Sequence, residues 1–231
     1  MSYAGVLIDL DGTLVNSIPD LADATNAMRA EMGLPQLPLD VIATYVGKGA
    51  ENLVRRALSV QVNQTPDDEM VAAGLAAFKR HYSMVNGAKS AVYEGVIEGL
   101  SHLRDAGLRM AVVTNKPAEF THPLLAACGL VNFFDHIVCG DTCEEKKPHP
   151  MPLLHACALL ELPPEQVVMI GDSANDALAA QSAGITVLAV PYGYNEGQDV
   201  QNMKVDGIVD SVFAAARWVT RPKLHSGALH G

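Results

Sequence analysis

Two aspartates separated by one residue, Asp9 and Asp11, stand just after the apolar run at residues 5–8. Such a run is typical of a strand buried on both faces, and alternate residues of a strand point to the same side. The two carboxylates would repel each other unless a cation lies between them or the chain turns. Gly12 and Thr13 could form an ordinary turn with incidental acids, which is the alternative. The pair is the first candidate for a functional site.

A second pair of acids follows another apolar run. Asp172 comes directly after residues 167–171, and Asp176 lies about one helical turn further on. Acids are also favoured at helix N-termini, so helix capping is the alternative for this pair. With Asp9 and Asp11 they would form a cluster of four carboxylates, which needs a hard cation. Oxygen ligands suit Mg²⁺, so the sequence predicts a magnesium site.

Residues that could bind a phosphate follow two further apolar runs. Thr114 and Asn115 offer a hydroxyl and backbone amides at the start of a helix, which is an anion site or a simple helix cap. Lys147 directly precedes a proline, which holds its backbone extended and would present a fixed cation. A solvated basic turn is the alternative for Lys147 and its neighbour Lys146. Of these two lysines, we expect Lys147 to point inward.

The elements that must position these residues alternate between short apolar strands and helices. Strands are predicted at residues 5–10, 109–114, 136–140, 167–171 and 186–190, with a weaker sixth at 207–210. Helices are predicted between them at residues 95–106, 117–128, 150–160 and 174–183. This alternation predicts an α/β fold, a Rossmann-like parallel sheet with helices on both faces.

One segment breaks the alternation. Between residues 15 and 90 there is no strand pattern, and four helices are predicted at residues 19–32, 38–45, 50–58 and 66–84. We therefore predict a core of residues 1–15 and 90–219 and a helical cap domain of residues 16–89, inserted after the first strand. The cap would lie above the carboxyl edge of the sheet, where open α/β sheets bind ligands. Residues 220–231 lack periodicity and are expected to be mobile.

Composition narrows the class of protein. The chain has 231 residues and a formal net charge of −10, which disfavours a nucleic-acid-binding surface. No apolar stretch is long enough for a membrane span, and the first residues lack a signal-peptide pattern, so we expect a cytoplasmic protein. Its four cysteines are then expected to be reduced thiols. Cys139 and Cys143, near His136 and His149, match no standard zinc spacing.

The ordered motifs DLDGT, VVTNK, KKPHP and GDSAND resemble the four motifs of the haloacid dehalogenase-like superfamily. The resemblance covers nearly the whole chain, and the helical insertion is similar to the family's cap. The segment VYEGVIEGLSHLRDAGLRMAVVTNKP looks like the phosphoglycolate phosphatase group. The resemblance implies a phosphatase for a small phosphate monoester, with 2-phosphoglycolate as the expected substrate. A sugar phosphomutase, another small-metabolite phosphatase and a non-catalytic phosphate-binding module are the alternatives.

The resemblance also implies roles for the acids. Asp9 would be the nucleophile that forms an aspartyl-phosphate, and Asp11 the general acid and then the general base. An acid at position 11 argues for phosphoryl transfer, because an alkoxide leaving group needs a proton whereas a halide does not. Mg²⁺ would be held by the Asp9 carboxylate, the Asp11 backbone carbonyl and Asp172.

Further residues take supporting roles by the same resemblance. Thr114, Asn115 and Lys147 would bind the phosphoryl oxygens, and Asp176 would orient either metal-bound water or Lys147. The family often has Asp where this chain has Asn16, so we expect altered contacts at the hinge of the cap and no loss of activity.

The cap loop Gly47-Lys48-Gly49 could hold a second anionic group of the substrate, such as a carboxylate. A plain turn between helices is the alternative for this loop. Arg55 and Arg56, which follow it, are expected to be solvated. The partner is thus expected to be a small phosphate ester, and the protein a monomer or a homodimer.

Overall fold

A computed structural model describes residues 3–59 and 65–221. Its strands are β1 (Gly5–Ile8), β2 (Val15–Asn16), β3 (Ala91–Val92), β4 (Arg109–Val113), β5 (His136–Val138), β6 (Val167–Gly171), β7 (Thr186–Ala189) and β8 (Gly207–Ile208). Six of them form one sheet in the order β5-β4-β1-β6-β7-β8, with every neighbouring pair parallel. The predicted parallel α/β sheet is confirmed, including its weak sixth strand.

All eight predicted helices are present, with small shifts at their ends. The helices are α1 (Ile18–Glu31), α2 (Leu39–Ala43), α3 (Ala50–Ser59), α4 (Asp68–Val85), α5 (Val96–Asp105), α6 (Ala118–Ala127), α7 (Met151–Leu159), α8 (Ala174–Ala183) and α9 (Val212–Val219). The pattern did not predict α9, which begins after Ser211, whose side chain caps it by accepting from the Ala214 amide.

The central strand β1 is apolar throughout because both faces of the sheet are covered. Val6 and Ile8 pack into a cluster that includes side chains of α5, α6 and α9. Leu7 points the other way, into a cluster that includes side chains of α7 and α8. This accounts for a continuous apolar run where a half-exposed strand would alternate.

Helices α1 to α4 have an apolar cluster of their own, which Phe120 of α6 joins from the core. The two chain crossings between this helical unit and the core pair as the antiparallel strands β2 and β3, which were not predicted. Beside them, the buried Asp20 carboxylate accepts hydrogen bonds from the amides of Gly87, Lys89 and Ser90 at 2.8–3.0 Å. These contacts support our proposal that residues 16–89 are a cap domain inserted in the core.

Only the first two residues of the predicted tail, 220 and 221, are described by the structure. Thr220 ends α9, and its hydroxyl lies 2.9 Å from the His102 ring, whereas residues 222–231 lie outside the described residues. Across residues 3–59 and 65–221, no helix combines the length and the apolar composition that crossing a membrane requires.

Candidate active site

Neighbouring strands bring the predicted residues to one edge of the sheet. Asp9 follows β1, Thr114 follows β4 and Asp172 follows β6, and these three strands are adjacent in the order β4-β1-β6. A cavity of about 50 Å³ lies between this edge and the helical unit formed by α1 to α4, which we propose to be a cap. Its core side is lined by Asp9, Asp11, Thr114, Asn115, Lys116, Pro117 and Phe120.

Lys147 lies between two carboxylates at this edge. Its ammonium is 2.9 Å from Asp9 Oδ1 and 2.7 Å from Asp176 Oδ1, and it also donates to the Val113 carbonyl at 2.6 Å. Although burial disfavours the charged form, Asp176 and Asp9 outweigh it and raise the pKa of Lys147. The cation is therefore fixed in position and stays charged.

Asn115 holds the backbone of Lys147. Its amide nitrogen donates to the Lys147 carbonyl at 2.8 Å, and its amide oxygen accepts from the Lys147 amide at 2.9 Å. The same nitrogen donates to the Gly47 carbonyl at 2.9 Å. The Asn115 side chain thus links its own loop to the backbones of Lys147 and Gly47, and both of its polar atoms are paired.

Asp172 and Asp176 are each held by hydrogen bonds. Asp172 accepts from the Thr13 hydroxyl at 3.0 Å and from the Tyr194 amide at 2.7 Å. Asp176 accepts from the amide and the hydroxyl of Ser173 at 3.1 and 2.8 Å, which closes a capping box at the start of α8. Asp176 therefore both caps α8 and pairs with Lys147.

Gly12 provides close approach as well as a turn. It has a φ of +89°, which favours glycine, and a Cβ at this position would collide with the Asp172 carboxylate. The loop after β1 can therefore lie against the end of β6 only with glycine at position 12.

The donor set fits a divalent cation. One carboxylate oxygen each from Asp9, Asp172 and Asp176 lies within 4.8 Å of the others, and all three residues are buried. If all three are ionised, Lys147 balances one of three negative charges, and a doubly charged hard cation would balance the rest. Burial raises the pKa of Asp9, an effect that Asp176 and Asp172 reinforce and Lys147 opposes. Burial and Asp176 also raise the pKa of Asp172, to about 7.

The expectation of four clustered carboxylates was wrong, because the Asp11 side chain is drawn elsewhere. Its carboxylate lies 3.0 Å from the buried ammonium of Lys116 and accepts a short hydrogen bond from Ser17. The strand ends at Ile8, so the same-side rule for strands does not reach Asp11. Lys116, which the sequence reasoning missed as a site residue, is the last residue of the VVTNK motif.

The cap loop meets the cavity through its glycines. Gly47 and Gly49 line it, but Lys48 is not among the lining residues. The Lys48 ammonium is instead 2.8 Å from Glu196, with 45% of its side chain exposed. Of the three residues proposed to read a second anionic group, only the glycines are at the cavity.

The Arg56 side chain, expected to be solvated, is 35% exposed, against 37% for that of Arg55. It stacks over the Tyr45 ring at 4.5 Å and lies 3.3 Å from Glu196, so Glu196 of the core contacts two cations of the cap. Arg55 does lie at the surface, paired with exposed acids. Asn16, the last residue of β2, accepts a hydrogen bond from the Tyr194 hydroxyl at 3.2 Å.

Comparison with known proteins places this arrangement in a family. The family model described as "Haloacid dehalogenase-like hydrolase" matches residues 6–190. The chain belongs to the haloacid dehalogenase-like hydrolases. This hydrolase is 46% identical over 216 residues to a phosphoglycolate phosphatase of Nitrosospira multiformis, covering 94% of this chain and 95% of the relative. A phosphoglycolate phosphatase of Thiobacillus denitrificans is 44% identical with the same coverage.

Solved structures agree with the sequence comparison. The crystal structure of a predicted phosphoglycolate phosphatase from Haemophilus somnus has a TM-score of 0.89 and 34% identity, covering 94% of this hydrolase and 98% of that chain. CbbY from Rhodobacter sphaeroides, solved in complex with phosphate, has a TM-score of 0.77 and 26% identity, covering 91% and 95%. The resemblance stated from the four motifs is confirmed.

Proposed function

We propose that this hydrolase is a Mg²⁺-dependent phosphatase that converts 2-phosphoglycolate to glycolate and phosphate through an aspartyl-phosphate at Asp9. The observation that carries the proposal is the position of Lys147, a buried cation between Asp9 and Asp176 at the same strand edge as Thr114. The relatives named phosphoglycolate phosphatase support the choice of substrate. We expect it to act in the cytoplasm, as a monomer or a homodimer.

The reaction would proceed by two displacements at phosphorus. An Asp9 oxygen attacks the phosphorus while the bond from phosphorus to the glycolate oxygen breaks, and Asp11 gives its proton to that oxygen. Asp11 then takes a proton from water, which attacks phosphorus and releases phosphate while restoring the Asp9 carboxylate. Uncatalysed hydrolysis of phosphate monoesters is among the slowest reactions known, and enzymes accelerate it by up to ~10²¹-fold.

Electrostatic stabilisation is the main requirement, because an anionic carboxylate must approach an anionic phosphate. Lys147 and the Thr114 hydroxyl would bind the phosphoryl oxygens, with Asn115 fixing the Lys147 backbone and Asp176 fixing its ammonium. Mg²⁺, held by the Asp9 carboxylate, the Asp11 carbonyl and Asp172, would neutralise further charge when bound. Asp176 completes the acidic surroundings of that site.

The cap side of the cavity is largely apolar. Leu21, Val46, Ala50, Leu53 and Phe78 line it, together with Tyr82, which brings a hydroxyl. Apolar side chains over the reacting groups would help to keep bulk water away from them, which favours phosphoryl transfer to a carboxylate.

A phosphate-release assay across a panel of phosphate esters tests the proposal. In a panel that also contains several sugar phosphates and nucleoside monophosphates, we expect 2-phosphoglycolate to have the highest kcat/KM. We also expect chelation of the metal to abolish turnover. Restoring Mg²⁺ or Mn²⁺ separately compares the two metals. Faster turnover of a sugar phosphate or nucleotide would contradict the substrate, and an isomerised sugar phosphate without released phosphate would indicate a mutase.

A further inference from the structure

The hydroxyl of Tyr82 is a buried donor at the cavity. Tyr82 belongs to α4, is 1% exposed, and its ring packs against Phe78 and Phe120 at centroid distances of 5.4 and 4.9 Å. Its oxygen accepts a hydrogen bond of 2.7 Å from Lys116. Among the residues that the structure describes, no acceptor receives the hydroxyl proton of Tyr82. Because burying an unpaired donor costs free energy, an acceptor supplied by a bound ligand would stabilise this arrangement.

Lys116 supplies a second buried cation, separate from Lys147. Lys147 contacts Asp9 and Asp176, whereas Lys116 contacts Asp11 and Tyr82 and lines the cavity. Burial opposes its charge, but Asp11 and Tyr82 outweigh that effect and raise the pKa of Lys116. The site therefore has two buried cations, since Lys116 lines the cavity and Lys147 contacts the lining residue Asp9. Two cations suit a substrate with two anionic groups.

Thr114 and Lys116 line the same cavity, and the Lys116 amide donates to the Thr114 hydroxyl at 3.2 Å. The Lys116 ammonium lies 3.0 Å from Asp11, the residue that would protonate the ester oxygen in the proposed reaction. A phosphoryl group at Thr114 and a second anion at Lys116 would therefore lie on either side of that ester oxygen, as they do in a short molecule. A carboxylate one carbon away from the ester oxygen meets this condition.

We propose that the Tyr82 hydroxyl and the Lys116 ammonium bind the carboxylate of the substrate while its phosphoryl group lies at Thr114 and Lys147. This inference rests on the proposed function and deepens it by naming the groups that select for a carboxylate. Tyr82 donates its proton in a hydrogen bond to one carboxylate oxygen, and Lys116 supplies the opposite charge. In this proposal Lys116 of the core and Tyr82 of α4, and not Lys48, bind the second anionic group of the substrate.

The Lys116 ammonium and the Tyr82 hydroxyl come from different parts of the chain, so binding of the carboxylate would link those parts. Lys116 belongs to the core, and Tyr82 belongs to the helical unit that covers it. Both contact the carboxylate only when α4 lies over the strand edge. Recognition of the carboxylate would therefore favour the closed arrangement, in which water is excluded.

The test compares Tyr82→Phe with the parent on 2-phosphoglycolate and on ethyl phosphate, which has the same chain length but no carboxylate. The substitution removes the donor and keeps the ring packing. We expect the ratio of kcat/KM for the two substrates to fall about tenfold or more, as for loss of a hydrogen bond to a charged group. The kcat/KM for ethyl phosphate should change less than about threefold. Tyr3→Phe, which removes the contact of the Tyr3 hydroxyl with Thr186 on the far side of the core, is the matched control.

Binding of 3-phosphonopropionate, a non-hydrolysable analogue, gives a second measurement by calorimetry. Its Kd should rise about tenfold in Tyr82→Phe, while that of ethylphosphonate stays within about threefold. An unchanged substrate ratio and Kd, or an equal loss on both substrates, would overturn the carboxylate site. If the parent itself does not prefer 2-phosphoglycolate over ethyl phosphate, the proposed substrate fails instead.

Discussion

The ammonium of Lys147 lies 2.9 Å from the carboxylate of Asp9, and both side chains are buried at the carboxyl end of β1. Lys147 is the group that counteracts the rise in the pKa of Asp9 caused by burial and by the two neighbouring acids. Lys147 therefore reduces the cost of a negative charge on Asp9, although burial still leaves the pKa of Asp9 raised. The same ammonium is in position to meet a phosphoryl group that approaches Asp9.

Replacing Lys147 by Met should cost both activity and stability. Asp9 and Asp176 would lose their shared cation, and removing one partner of a buried ion pair costs about 3–5 kcal/mol. We expect the free energy of unfolding in urea with chelator to fall by that order. The kcat/KM for 2-phosphoglycolate should fall at least ~100-fold, since a fixed group that stabilises the transition-state charge is lost.

Lys146→Met is the matched control, because Lys146 is adjacent in sequence but exposed. It should leave both the free energy of unfolding and kcat/KM close to those of the parent. Equal effects of the two substitutions would mean that Lys147 has no special position.

Mg²⁺ should stabilise the folded protein through Asp172. A ligand that binds only the folded state adds about 2.7 kcal/mol at 100 times its Kd, so the Tm should rise with Mg²⁺ concentration. Asp172→Asn should remove most of that rise, whereas Asp105→Asn, at an exposed position on α5, should retain it. Calorimetric scans with and without Mg²⁺ measure both. An undiminished rise in Asp172→Asn would show that the metal binds elsewhere.

Without metal, Asp172 should make stability depend on pH. Its pKa is about 7 in the folded protein against an ordinary 3.8, so the folded state holds the proton over this interval while the unfolded state loses it. Raising the pH from about 4 to about 7 therefore favours unfolding. In chelator, Asp172→Asn should gain about 1–4 kcal/mol relative to the parent across this interval, as urea unfolding at several pH values would show. A constant difference between the two proteins would contradict the raised pKa.

Much of the fold and part of the site could be predicted from the sequence, because buried strands and their polar ends leave local patterns. The placement of Asp9 and Asp172 followed from the runs before them. The strands β2 and β3 are two residues long, too short for any periodicity to show. The helix α9 went unrecognised although its start carries a serine cap, a common local signal.

Contacts distant in sequence could not be predicted. Lys116 is the last residue of the VVTNK motif, but nothing in the neighbouring sequence distinguishes a buried lysine from a solvated one. Its partners, Asp11 and Tyr82, are 105 and 34 residues away. The position of Lys48 between two glycines predicts a site for an anionic group of the substrate. Its ammonium instead contacts Glu196, a residue 148 positions further along the chain.

Glu196 should help to hold the cap closed. It lies within 3.3 Å of both Lys48 and Arg56, so one core carboxylate meets two cap cations. These pairs are partly exposed, and each is worth about 1 kcal/mol or less. Glu196→Gln should raise KM for 2-phosphoglycolate a few-fold with little change in kcat. Because salt screens these ion pairs, the KM values of the variant and the parent should become more similar as salt is added.

Steady-state kinetics at low and high salt test this effect of Glu196. The control is Glu161→Gln, which breaks an exposed pair with Arg109 away from the cap. If Glu196→Gln and Glu161→Gln give the same KM, the contacts of Glu196 do not contribute to closure.

The central claim is that Asp9 accepts the phosphoryl group, and rapid-quench mass spectrometry tests it most directly. Acid quenching of the parent during turnover of 2-phosphoglycolate with Mg²⁺ should yield a phosphorylated peptide, with the added mass on Asp9. Asp9→Asn should keep the fold, form no such adduct and release phosphate at least ~1000-fold more slowly, since it lacks the nucleophile. Parent-like turnover by Asp9→Asn, or a phosphoryl group found on another residue, would contradict the account.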